Sequence, residues 1–117
     1  MSMRKKAARA PTRDFNETVR ARAQRDEPFR IALLREAADC FLAGDLETGR
    51  AVLRDYVHAT VGFEELARAT AKSPKSLMRM LGPGGNPQVS NLLAILAYLQ
   101  KQAHIRLKTV ARGRGSG

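Results

Sequence analysis

"SPKSLMRMLGPGGNP", Ser73 to Pro87, decides how this chain is read. Ser followed by Pro marks a helix start. The hydroxyl can accept an orphan N–H of the first turn, and Pro at the first helical position has no N–H to satisfy. Leu77, Met80 and Leu81 recur at helical spacing and define an inward side. Lys75, Ser76 and Arg79 fall on the other side, with Met78 at the rim. Gly82 to Gly85 end the helix as a loop, and Asn86 with Pro87 repeats the cap-then-proline signal for another helix. The result is a very short helix, cationic on one side. Like charges four residues apart cost a few tenths of a kcal/mol in an isolated helix, which a phosphate partner would reverse.

Moving backwards, "GFEELARATA" reads as a short helix with Phe63, Leu66, Ala67 and Thr70 inward. Glu64 and Glu65 lie in its first turn, where the macrodipole favours acids. A small residue at Ala67 allows a close helix crossing, and a small residue at Ala71 allows a sharp turn. Two short helices joined this way match a helix-turn-helix, whose second helix enters a DNA major groove. Arg79 can reach guanine O6 and N7 as a two-pronged donor, and Lys75 and Ser76 lie near the helix start, where base edges are read. Lys72, Ser73 and the backbone N–H groups around them suit phosphate oxygens.

Further upstream, Asp14 can cap a helix over "FNETVRARAQR". Asp26 caps a second, with Glu27 and Pro28 in its first turn, Ile31, Leu34, Ala38 and Phe41 inward, and Gly44 as its stop. Asp45 opens a third with Leu46, Leu53, Tyr56 and Val57 as its stripe, ending near "HATVG". Downstream, Val89, Leu92, Leu93, Ile95, Leu96 and Leu99 cover so much of the last helix that it is expected to be central. In "HIRLKTV", Ile105 and Leu107 alternate with Arg106 and Lys108, so this piece reads as a short strand or a frayed helix. A lone strand would need the N-terminal region or a second subunit as partner. The expected organisation is a disordered basic arm (1–13), N-terminal helices (14–60), the helix-turn-helix with a supporting helix (61–103), and a short strand with a flexible basic tail (104–117). Residues 14–103 form one compact domain in this reading.

Composition agrees with an all-α fold. The chain has 117 residues, 44% hydrophobic but only 5% aromatic with no Trp, so its core is aliphatic and helix-favouring. The net charge of +10 argues for a polyanionic partner, nucleic acid before membrane. That charge is uneven: residues 29–60 carry four Lys/Arg against five Asp/Glu, whereas residues 61–117 carry nine against two. The single cysteine, Cys40, forms no intrachain disulfide and reads as a small buried hydrophobe, which fits a reducing cytoplasm. No apolar run reaches the length of a membrane span, and no apolar segment follows the basic N-terminus to make it a secretory signal.

His58 and His104 lack ligand neighbours, so no metal is expected, and His58 reads as a helix-end residue. "GPGG" lacks the Lys-Ser/Thr ending of a phosphate loop. No nucleophile, base and oxyanion donors assemble, so no enzyme and no cofactor are expected. Few aromatic stacking platforms argue against an RNA-coating protein.

"GFEELARATAKSPKSLMRMLGPGGNPQVSNLLAILAYLQKQ", Gly62 to Gln102, resembles the helix-turn-helix antidote proteins of addiction modules, the antitoxins of type II toxin–antitoxin pairs. "KSLMRML", "GNP" and "NLLAILAYL" in succession carry the likeness, which extends more weakly from about Asp14 to Val110. The resemblance implies a lambda-repressor-like helical domain of five to six helices. It implies a homodimeric repressor of its own operon, bound to double-stranded operator DNA at the nucleoid and paired with a RelE-like toxin from the neighbouring gene. Lys75, Ser76 and Arg79 match its recognition-helix surface, and Gly85, Asn86 and Pro87 match its "GNP" turn. Two features depart from the pattern. The N-terminal helical pair is longer than the minimal domain, and Ala71 and Lys72 replace the usual Gly and apolar residue of the turn. A reading of another class remains beside it: a toxin-neutralising interaction module with only weak or non-specific nucleic-acid binding.

Overall fold

The computed structural model describes residues 17–113; the expected basic arm, the Asp14 cap and the end of the tail lie outside them. The described residues form α1 (Val19–Arg25), α2 (Glu27–Leu42), α3 (Leu46–Ala59), α4 (Gly62–Thr70), α5 (Pro74–Met80) and α6 (Val89–Ala103), with no strand among them. The chain divides into two compact units, one ending at Pro87 and the other starting at Gln88. The expected division lay instead after residue 103.

Local capping chemistry accounts for most helix starts in the first unit. Asp26, Asp45 and Ser73 accept the N–H groups of Phe29, Thr48 and Ser76 at 3.0–3.1 Å. The start of α1 differs from the expectation: Thr18 is its cap, accepting the Ala21 N–H at 3.0 Å in an extended conformation that begins the helix at Val19. Gly44 follows α2 with φ +85°, the left-handed geometry a glycine adopts without Cβ strain.

Helices α1, α2 and α3 pack on one another, α3 on α4, and α4 on α5. The core is aliphatic, as composition required: Leu34, Leu53, Val57, Leu66, Leu77 and Leu81 are fully buried, with Phe63 and Tyr56 beside them. Fully burying such a side chain is worth about 1.5–3 kcal/mol relative to exposure. On α2 the inward face is rotated from the expected one. Leu33, Leu34 and Ala37 are buried, while Ile31, Ala38 and Phe41 are half-buried. The Phe41 ring spreads over Gly49 of α3, where an added Cβ would stand 2.5 Å from a ring carbon. Gly49 is thus a close-approach position, invisible to a periodicity reading.

The second unit departs furthest from expectation. Helix α6 begins at Val89 after the extended Gln88, with no side-chain cap, so Asn86 and Pro87 do not open it. Only Gln88 directly precedes the helix, and it is extended, with ψ 150°. Nor is α6 central. Ile95 and Leu99 are buried, Leu92 and Leu96 half-buried, but Val89 is 71% and Leu93 58% exposed. At 100° per residue these apolar positions span far more than one face, and burial takes only one flank of the band.

The predicted strand at 104–110 is not formed. His104 closes α6 in left-handed geometry (φ 59°), Ile105 N–H donates to Gln100 O at 3.1 Å, and Leu107 N–H donates to the Gln100 side-chain oxygen at 2.7 Å. The donor a strand ladder would use at Leu107 is therefore taken by a side chain.

Candidate nucleic-acid interface

The site is α4, a three-residue turn and α5. Leu66 and Ala67 of α4 and Leu77 of α5 are buried, so the two helices meet through small and aliphatic residues. Ala71 ends α4 at φ 58°, ψ 39°. The next N–H, of Lys72, donates back to Ala67 O at 3.0 Å, closing the helix as a left-handed cap. The turn thus keeps the geometry that favours glycine while carrying alanine, a cost of roughly 1 kcal/mol. Lys72, at the usually apolar position, is half-buried.

Helix α5 is only seven residues long, too short to be stable alone. Its N-terminus is finished locally: Ser73 Oγ accepts the Ser76 N–H, and Ser73 O accepts the Leu77 N–H at 3.1 Å. Lys72 N–H is spent on Ala67 O, Ser76 N–H on Ser73 Oγ, and Pro74 has none, so these three positions offer no backbone donor around Ser73.

The C-terminus of α5 is finished from a distance. Arg50 of α3, only 6% exposed, donates its Nε–H to Gly82 O at 3.0 Å. Arg54, one turn later, donates to Leu81 O at 2.6 Å. Two guanidinium groups thus hold the carbonyl end of α5, where the macrodipole favours cations. Gly85 folds back over the same end: a Cβ there would lie within 2.6 Å of both the Met80 and the Arg79 carbonyl oxygens. From the sequence alone Arg50 and Arg54 are only charges. A buried α3 stripe with an arginine at its centre was the available signal, but its acceptors lie about thirty residues away and could not be read.

Lys75 and Arg79 are exposed, Ser76 is half-buried, Met78 is 47% exposed, and Met80 is half-buried rather than fully inward. Exposed Arg68 on α4 joins the cationic set, one helical turn before Lys72. The electrostatic setting separates these residues from the arginines of α1. Arg20, Arg22 and Arg25 pair with Asp55, Asp26 and Glu17 at 2.8, 3.4 and 2.7 Å. The Arg25 guanidinium holds the Glu17 carboxyl below its usual range, and the Phe29 N–H does the same for Asp26. Arg68, Lys72, Lys75 and Arg79 have no acidic partner among the described residues. Helix stability explains Arg79, a cation in the last turn. It does not explain Lys75, which stands in the first turn, where the macrodipole disfavours it and no acid offsets it.

Two other expectations resolve outside the site. His58 lies in the last turn of α3, as a helix-end residue; its ring packs edge-on against Phe63 at 4.9 Å, burial lowers its pKa, and Thr60 caps the helix through Tyr56 O and Val57 O. Cys40 is half-buried, with its thiol pKa raised by burial and by Asp45, Glu36 and Asp39. Among the described residues no helix is long and apolar enough to cross a membrane. Comparison with protein-family models, curated proteins and solved structures gives no match to this chain.

Proposed function

We propose that the chain is a sequence-specific DNA-binding transcriptional regulator that reads a major groove with α5. In this reading it is the antitoxin of a type II toxin–antitoxin module and represses its own operon. The observation that carries the proposal is the surface of α5. A short helix, capped at both ends, exposes Lys75 and Arg79 against no acid, and it is presented by a left-handed turn from α4. Lys75, Ser76 and Arg79 address base edges, and Lys72, Ser73 and Arg68 address phosphates.

The test is anisotropy titration with the DNA upstream of the chain's own gene against a scrambled duplex. Arg79→Ala is expected to cost about 1–3 kcal/mol on the cognate site and to relax discrimination at one base position. Equal binding of the wild type to both duplexes defeats the proposal. The toxin-neutralising role draws on a separate observation, the apolar Val89 and Leu93 left exposed on α6. Co-purification with the product of the neighbouring gene, and its loss in Val89→Ser/Leu93→Ser, tests that role.

A further inference from the structure

No acidic residue occurs after Glu65. The unit that starts at Gln88 therefore carries Lys101, Arg106, Lys108, Arg112 and Arg114 with nothing to neutralise them in its own sequence. Lys101 has a local explanation, since it lies in the last turn of α6 and complements the helix dipole. Arg106, Lys108 and Arg112 lie on a segment without helix or strand, where no dipole recruits them.

That segment is tethered at its base. Gln100 ties it down with both ends of its residue. The backbone carbonyl accepts Ile105 N–H, the side-chain oxygen accepts Leu107 N–H, and the amide nitrogen donates to Leu96 O at 3.1 Å. Arg106 is thus held between two anchored neighbours. Exposure alternates along this piece: Ile105 and Leu107 are half-buried, while Arg106 and Lys108 are exposed. Beyond it Arg112 is exposed as well. The alternation that suggested a strand therefore serves to put apolar side chains on one side and cations on the other. Concentrated charge of one sign is self-repelling, and a polyanion relieves it.

We propose that residues 104–113 are a second nucleic-acid contact, an arm that grips the phosphodiester backbone of duplex DNA through Arg106, Lys108 and Arg112. It takes no part in base reading: it has no helix to insert into a groove, and its cations are spaced along a chain rather than gathered for a bidentate contact. The inference stands apart from base recognition by α5, because it concerns affinity common to all sequences.

The experiment uses the full chain and a duplex of scrambled sequence, with binding measured from 50 to 200 mM salt. Each phosphate contact contributes about −0.9 to the slope of log K against log salt. Arg106→Ala/Lys108→Ala/Arg112→Ala is expected to flatten the slope by about 2.7, so that the wild type loses about 40-fold more affinity than the variant across that range. Its melting temperature is expected to stay that of the wild type. Arg106→Lys/Arg112→Lys is expected to keep the wild-type slope, since a phosphate needs charge and not a fork. On the upstream duplex the triple variant loses affinity while keeping its preference over scrambled DNA. Failure of the α5 reading would instead appear as no preference in the wild type, with the slope change intact. An unchanged slope in the triple variant overturns the arm. So does wild-type binding to phosphatidylglycerol vesicles that is tighter than to duplex and abolished by the same substitutions.

Discussion

The two ends of α5 are finished by different physics. At the start, Ser73 serves its own neighbours: one hydroxyl and one carbonyl satisfy donors within four residues. At the finish, the carbonyls of Leu81 and Gly82 depend on Arg54 and Arg50, brought in from α3, and on a glycine that lets the chain fold back closely. A local cap sets where a helix begins. A long-range clamp ties a helix to the rest of the fold, and a seven-residue helix has little stability of its own to do without it.

Substitutions at the two ends can break this comparison. Gly85→Ala should be the most damaging, at about 3 kcal/mol, because the added Cβ meets two backbone carbonyls that have no side-chain freedom to move away. Chemical denaturation reads this directly, and a loss below about 0.5 kcal/mol would mean the fold-back is loosely held. Arg50→Met comes next at about 2 kcal/mol, since it retains apolar bulk but removes a buried charge-assisted hydrogen bond. If the clamp positions α5, the same variant loses preference for the upstream duplex more than affinity for scrambled DNA. Ser73→Ala should cost about 1 kcal/mol. Equal losses at Ser73 and Arg50 would erase the distinction between local and distant finishing. The smallest effect is a gain: Ala71→Gly should stabilise by up to about 1 kcal/mol, relief of left-handed strain being partly offset by the greater freedom of glycine in the unfolded chain. No gain in melting temperature would show that the turn is not strained.

The same contrast explains what could be read beforehand. Asp26, Asp45, Ser73 and Gly44 were legible because a cap or a stop acts within four residues. Asn86 and Pro87 looked equally good, yet the helix begins only at Val89, after an extended Gln88, since such signals permit a helix without requiring one. The apolar band of α6 was read as central because composition records how much of a helix is apolar. Which flank is covered depends on what packs there. Ile105 and Leu107 alternated like a strand, but Gln100 claimed the Leu107 N–H first. At the candidate site Lys75, Ser76 and Arg79 were found from spacing. Arg50 and Arg54 were not, because the carbonyls they hold lie 32 and 27 residues away.

The sequence by itself determined that this chain is helical, where most of its helices start, that its core is aliphatic, and that its second half is cationic. Those properties follow from side-chain chemistry and from neighbours within one helical turn. Only the tertiary structure decided which face of α2 is buried, that Ala71 takes a glycine's geometry, that two arginines of α3 hold the end of α5, and that α6 leaves Val89 and Leu93 uncovered. All but the Ala71 geometry, which the end of α4 closes locally through Lys72 N–H and Ala67 O, depend on groups far apart in the chain, and a contact between distant groups has no local pattern to announce it.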